Sequence, residues 1–241
     1  MSAATSALPV SWPELVHGTL VRRYRRFLAD VELKAGGMVT AHCPNSGRML
    51  QCSEPGRPVH LSLSHNPARK CAHTWELIEM PSSLVVVNTL RANALAKAAA
   101  TLGLVPELAG YPEVKSEVVT APGTRIDLIL EGGGRAPCMV EVKSSTYAVD
   151  GVAMFPDAVT SRGLKHLVEL QAGLARGMRS VLLLLVQRMD ARSFRPADHI
   201  DPLWGRELRK ASAAGVEVLA YAARVTLAGM TVAGRLPLDL S

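Results

Sequence analysis

Residues 126–144 read IDLILEGGGRAPCMVEVKS, two apolar strand-like runs joined by a triple glycine. The first run carries Asp127 and the second Glu141 and Lys143, charges that a plain core sheet does not bury without partners. If the runs pair antiparallel about a turn centred on Gly134, Asp127 opposes Glu141, Leu128 opposes Val140 and Ile129 opposes Met139. Period-two alternation then puts Ile126, Leu128, Leu130, Cys138, Val140 and Val142 on one face. Asp127, Glu141 and Lys143 share the other. Directly opposed residues hold their Cβ atoms about 5 Å apart, and Lys143 lies roughly 7 Å along the strand from Glu141.

Two carboxylates that close repel, and one tends to keep its proton unless a cation intervenes. A hard divalent ion such as Mg²⁺ relieves the conflict, since it takes oxygen ligands and commonly binds one or two carboxylates together with substrate phosphate. With Lys143 orienting a water or steadying developing charge, the patch suits phosphodiester hydrolysis. The same three residues also fit a structural ion pair in which Lys143 bridges Asp127 and Glu141.

The surroundings of the hairpin are α/β in character. SLVVVN reads as a strand and RANALAKAAATLGL as a helix ending near Gly103. Strands are expected near 113–119, 125–131 and 137–143, and a helix from Thr160 to about Arg176. On that helix Leu164, Leu167, Gln171 and Leu174 form one stripe and Arg162, His166 and Glu169 another. SVLLLLVQR is uniformly apolar, as a parallel strand buried on both faces would be. A helix over 202–214 and the strand VEVLAYAA complete the unit.

Residues 20–82 read differently, as short strands between turns: TLVRRYRRFLADVEL, MVTAHC, PVHLSLS and HTWELIEM. In the first, Phe27, Ala29, Val31 and Leu33 alternate with polar residues, which predicts one buried face. The set suits a five-stranded barrel of the oligonucleotide-binding (OB) kind or a generic small barrel. PSS at 81–83 marks the junction, giving domains 1–83 and 84–241.

Composition narrows the class. At 241 residues the chain is 48% hydrophobic with a formal net charge of +6. The charge permits a polyanionic partner. Residues 1–110 hold eleven Lys/Arg against seven Asp/Glu and the rest sixteen against fourteen, so the basic excess leans to the first half, largely through RRYRR. No apolar run reaches the roughly 20 residues of a membrane span, and MSAATSALPVSWPELV lacks the build of a secretory leader. The chain is therefore expected in the cytoplasm, away from membranes. Its four cysteines, without a CxxC pair, read as free thiols. The group His42, Cys43, Cys52, Cys71 and His73 lacks the tight ligand pairs of a structural zinc site, so no zinc is expected.

Several residues have both a bland and a functional reading. Arg162, Lys165 and His166 are either the solvated face of a helix or phosphate contacts. Asn45, Ser46 and Arg48, in HCPNSGRM, form a turn or offer donors to a phosphate or sugar. Arg22, Arg23, Arg25 and Arg26 alternate along their strand, so at most two line one surface. Tyr24 and Trp75 either pack in the core or stack on a base, and Arg69 and Lys70 end a loop. There is no G-x-S-x-G element, P-loop or dinucleotide fingerprint.

The Asp…Glu-x-Lys pattern resembles the core of the PD-(D/E)xK nuclease superfamily. AHCPNSGRM, WEL, VNT, TRIDLIL, VEVKSST, FPDAVTSRGLKHLVEL and GVEVLAY, in that order, resemble the sugar fermentation stimulation protein A family from about residue 14 to 239. The resemblance implies an N-terminal OB-like barrel followed by a nuclease-like α/β domain with a mixed central sheet, and DNA as partner. It also implies Asp127 and Glu141 as ligands of Mg²⁺ or Mn²⁺, Lys143 as the catalytic lysine and Glu117 as a third carboxylate. Val119 stands where the pattern would carry a lysine. Two functions follow as expectations: a metal-dependent DNA nuclease, or a DNA-binding regulator of sugar-metabolism genes that keeps the fold without cleaving. A homo-oligomer is compatible with either.

Overall fold

In the computed structural model, which describes residues 8–121 and 123–241, two β-rich units share one chain. The leader expectation rests partly on residues 1–7, which lie outside the described residues. No helix among the described residues is long and apolar enough to cross a membrane.

The first unit is a barrel of β2 (Leu15–Tyr24), β3 (Leu28–Leu33), β4 (Met38–His42), β5 (Pro58–Leu63) and β6 (His73–Met80), preceded by the short β1 (Val10–Ser11). β2 pairs antiparallel with β3 and β5, β3 with β4, and β5 with β6. Parallel bridges Ala41↔His73 and His42↔Thr74 close the ring between β4 and β6. Leu20, Ala29, Val31, Ala41, Val59, Leu61 and Trp75 fill its centre.

The run expected as one strand, TLVRRYRRFLADVEL, is a hairpin. Arg25 and Arg26 take φ of 46° and 64°, the left-handed region that reverses a strand within two residues. This break supplies the barrel's fifth strand. It also corrects two expectations. Arg25 and Arg26 sit in a turn and do not alternate on a strand, and Phe27, expected inside, is 42% exposed just after the turn. Trp75 is fully buried and donates its indole N–H to the Leu77 carbonyl, 2.9 Å away, so it packs and does not stack.

β7 (Ser83–Val86) pairs with β6, so the barrel sheet continues past the expected 83/84 junction. The second unit then runs through α1 (Leu90–Thr101), β8 (Glu113–Ala121), β9 (Thr124–Glu131), β10 (Cys138–Ser145), β11 (Tyr147–Val149), β12 (Val152–Phe155) and α2 (Ser161–Ala175). It ends with β13 (Arg179–Val186), β14 (Ser193–Pro196), α3 (Pro202–Ala213), β15 (Glu217–Thr226) and β16 (Gly229–Arg235). Seven strands form a mixed sheet ordered β1-β16-β15-β13-β10-β9-β8, and β11, β12 and β14 form a small second sheet. β10, β13 and β15 run parallel. α1 covers one face, over Leu128, Leu130, Val140, Leu183 and Leu185. α2 and α3 cover the other, over Ile129, Met139, Leu182 and Leu184. Apolar layers on both faces explain why SVLLLLV carries no alternation.

A buried polar network ties the units together. Glu76 of β6 is 1% exposed. It accepts hydrogen bonds from Arg91 of α1 through both oxygens (2.9 and 2.8 Å), from Ser62 and from Asn88. Burial alone would raise the Glu76 carboxyl, but Arg91, Ser62 and Asn88 outweigh it and hold the group below its ordinary value. All four cysteines are free, as expected.

Candidate active site

The β9–β10 hairpin has the expected register: Leu130↔Cys138, Ile129↔Met139 and Leu128↔Val140. The sums of these pairs centre the turn on Gly134, where Gly132, Gly133 and Gly134 all take left-handed φ of 88°, 67° and 69°, a conformation in which a Cβ would be strained. The ladder stops at Leu128↔Val140, so the expected Asp127↔Glu141 pair is not one of its rungs. One step further on, the Asp127 carboxylate accepts the Val142 N–H at 2.8 Å, so a side chain takes the place of the next backbone rung. The alternation breaks at the same point. Ile126, expected beside Leu128, instead packs with Ile129, Met139 and α2.

Glu141 lies at the centre, 1% exposed. Lys143 donates to its Oε1 at 2.5 Å, and His166 of α2 bonds the same oxygen. Arg162 Nε donates to His166 Nε2 at 3.3 Å, which requires a lone pair there and leaves the proton on Nδ1, facing Glu141. Glu141 Oε2 is buried with no hydrogen-bond partner among the described residues. Burial pushes the Glu141 carboxyl up, but His166 and Lys143 outweigh it and hold it below the usual value. Asp127 goes the other way. Burial, reinforced by the Glu141 charge, lifts it to about 6. One acid is thus held ionised and its neighbour is poised to keep a proton. Lys143 bonds Glu141 and makes no hydrogen bond to Asp127, so the bridged ion pair expected as the alternative is not formed.

Two polar residues that the sequence reading overlooked complete the arrangement. Asn93 of α1 donates to Asp127 Oδ1 at 2.7 Å and reaches Glu117 Oε1 at 3.4 Å. Its signal was faint: a poor helix former inside an Ala/Leu-rich helix. Asp157 accepts the Met49 N–H at 2.7 Å and so holds the 45–49 loop of the barrel over the site. Gly47 allows that approach, because a Cβ there would lie 2.3 Å from Asp157 Oδ1. His166 is expected either on the solvated face of α2 with Arg162 and Glu169 or as a phosphate contact beside the site. It is 6% exposed, because the helix buries Gly163, His166, Leu167, Leu170 and Gly173. Thr160 caps α2, its Oγ1 accepting the Gly163 N–H.

These groups floor a cleft of about 460 Å³ between the two units. Barrel residues Arg26, Asn45, Ser46 and Gly47 form one wall, and Asn93, Asp127, Glu141, Lys143, Arg162 and His166 lie across from them. Arg48 joins Arg23 and Arg26 in a groove that opens beside it. Arg23 also donates to the carbonyls of Asn45, Gly47 and Arg48, and so shapes the loop. Glu117, with φ of 56° and an Arg125 partner, stands on β8 outside the cleft lining. Arg22, paired with Asp30, also lies outside it, as do Arg25, Arg69, Lys70 and Lys165. Val119 is 65% exposed. Among the described residues, no three His, Cys, Asp or Glu side chains gather as a ready-made metal cluster.

Known proteins agree with this layout. The model "SfsA N-terminal OB domain" matches residues 21–87 and "Sugar fermentation stimulation protein RE domain" matches 90–229. The chain belongs to the sugar fermentation stimulation protein family. A family homolog from Thioalkalivibrio sulfidiphilus is 52% identical over 231 residues, 95% of this chain and 97% of the relative. One from Geobacter sulfurreducens is 51% identical over 92% and 95%. The structure of Pyrococcus furiosus SfsA in complex with Ca²⁺ superposes with a TM-score of 0.88 over 97% of this chain and all of that one, at 24% identity. It shares the fold. The boundary between the two family models, at 87/90, follows β7, in line with the strand's place in the barrel sheet.

Proposed function

We propose that this chain binds DNA and hydrolyses its phosphodiester bonds with a divalent ion held at Asp127 and Glu141. The observation that carries the reading is Glu141: one oxygen is pinned by Lys143 and His166, and the other is buried without a donor beside a carboxyl lifted to about 6. A buried acceptor left unmatched is costly, and a cation would satisfy it. Asp127 fits the second ligand position, because each of its oxygens accepts one hydrogen bond and keeps a lone pair. Two carboxylates with room for water and phosphate suit Mg²⁺ or Mn²⁺. The Ca²⁺ complex of the Pyrococcus furiosus relative supports a divalent ion in this fold. A bound ion would supply Lewis acidity and neutralise phosphate charge.

The chain's own groups provide the rest. Lys143 presents an ammonium at the floor of the cleft, where it can orient a water or stabilise charge developing on the phosphorane. His166 and Arg162 hold Glu141 in its ionised form and geometry. Asn93 and the Val142 N–H fix Asp127. Arg26, Arg48 and Arg162 edge the opening with charges suited to a phosphate backbone.

The absence of a three-ligand cluster among the described residues favours a second reading, in which the chain binds DNA as a regulator and does not cleave it. Incubation of single- and double-stranded DNA with and without Mg²⁺ or Mn²⁺ separates the two. Cleavage that needs metal and falls at least ~100-fold in both Asp127→Asn and Lys143→Ala supports the enzyme. Binding without cleavage in either metal leaves the regulator.

A further inference from the structure

The polar floor of the cleft accounts for its charges but not for its rim. Among the described residues, the two most exposed large apolar side chains are Val159 at 71% and Leu90 at 68%. Both line this one cleft, Leu90 at the start of α1 and Val159 just before α2. Isolated apolar residues on a surface are ordinary, but the two extremes meeting at the mouth of the candidate site ask for a partner. The barrel side adds a third. Phe27 is the one exposed Phe, Tyr or Trp side chain among the described residues. It follows Arg26, which lines the cleft, and the Arg26 guanidinium carbon lies 6.0 Å from the Phe27 ring centroid.

Duplex DNA offers such surfaces little. Its bases are stacked and paired, and it presents phosphates and groove edges. A single strand presents base faces, which stack on aromatic rings, beside a backbone that basic residues can follow. We propose that the cleft and the β2–β3 turn form a track for single-stranded DNA. A base stacks on Phe27, Arg26 meets the adjoining phosphate, and Leu90 and Val159 flank the nucleotide that enters towards Glu141. The proposal rests on the DNA-hydrolysing reading above and names its substrate form. The hairpin break at Arg25 and Arg26 is what sets it up, since it takes Phe27 out of the barrel core and puts it next to the catalytic entrance.

The test is fluorescence anisotropy in EDTA, with a labelled single strand of about 16 nucleotides and with the same sequence as a duplex. The single strand is expected to bind more tightly at equal salt. Phe27→Ala should weaken single-strand binding about tenfold, the loss of one stacked base, while Phe27→Trp keeps it. The double variant Leu90→Ser/Val159→Ser should weaken single-strand binding as well. Each position is on the surface, so these variants keep their core contacts. Equal or tighter duplex binding overturns the track and leaves the nuclease reading standing. So does wild-type single-strand affinity in both Phe27→Ala and the double variant. No binding of either form in EDTA overturns the track, and no binding of either form with Ca²⁺ in place of EDTA overturns the nuclease reading as well.

Discussion

Asp127→Asn tests the electrostatics of the site without any substrate. The Asp127 carboxyl stands at about 6 against an ordinary 3.8, because of burial and the neighbouring Glu141 charge. The folded protein therefore binds the proton more tightly than the unfolded chain does. Below about pH 3.8 both states are protonated and the shift costs nothing. As pH rises from there to about 6 the unfolded chain ionises first, and stability falls. Above 6 the full penalty applies, about 2 pKa units at 1.36 kcal/mol each, or roughly 3 kcal/mol. Water reaching the cleft screens part of it, which brings the measurable figure to about 1–3 kcal/mol. Asparagine is nearly isosteric, keeps an acceptor for the Val142 N–H and carries no charge. Asp127→Asn is thus expected to be more stable than the parent by that amount at pH 8 and no more stable near pH 4, while losing cleavage. Urea unfolding at a series of pH values measures the difference directly. Saturating Mg²⁺ or Mn²⁺ should stabilise the parent and narrow the gap, because the ion supplies the neutralisation that asparagine otherwise provides. A gap independent of pH, or a variant less stable than the parent at pH 8, would refute the argument.

Two further substitutions probe how the units are joined. Glu76→Gln leaves the Arg91 guanidinium facing an amide in a buried network, and should cost about 3 kcal/mol, a Tm loss of roughly 10 °C for a chain of this size; a change under about 2 °C counts against the network as the joint. Gly47→Ala drives a Cβ to 2.3 Å from Asp157 Oδ1. It should separate the loop from Asp157 at a cost of about 1–3 kcal/mol and expose Met49, fully buried in the parent, to faster hydrogen exchange at its amide; unchanged exchange there would mean that the loop is held by other contacts.

Much of this was legible in the sequence because it follows from local pattern. The triple glycine and the apolar alternation gave the β9–β10 register as far as Leu128↔Val140, and the uniform SVLLLLV run gave a doubly covered parallel strand. What was lost depends on where the chain reverses or rotates. Phe27 fits a period-two pattern only if RRYRR is extended, and two arginines with left-handed backbone undo it. His166 fits a solvated stripe only if α2 turns its leucines squarely inward. Packing Gly163 against Thr160 and Trp204 rotates the helix so that 166 faces Glu141. Asn93 and Asp157 belong to no short motif. They reach the site from elements far away in sequence, 34 residues before Asp127 and 108 after Met49.

The charged residues of the hairpin are tolerated because the sheet ends where they begin. Up to Leu128↔Val140 the two strands are satisfied by each other. At the next step the strands stop pairing, and the Val142 N–H is satisfied by the Asp127 side chain. A backbone rung there would have spent that donor on a carbonyl and left Asp127 with one fewer reason to stay. Lys143 and His166 converge on a single oxygen of Glu141, and nothing among the described residues meets the other. A purely structural ion pair would be expected to use both oxygens, as Glu76 does with Arg91. The contrast between these two buried glutamates, one fully satisfied and one half satisfied at the floor of an open cleft, is the physical reason to assign the first to stability and the second to chemistry.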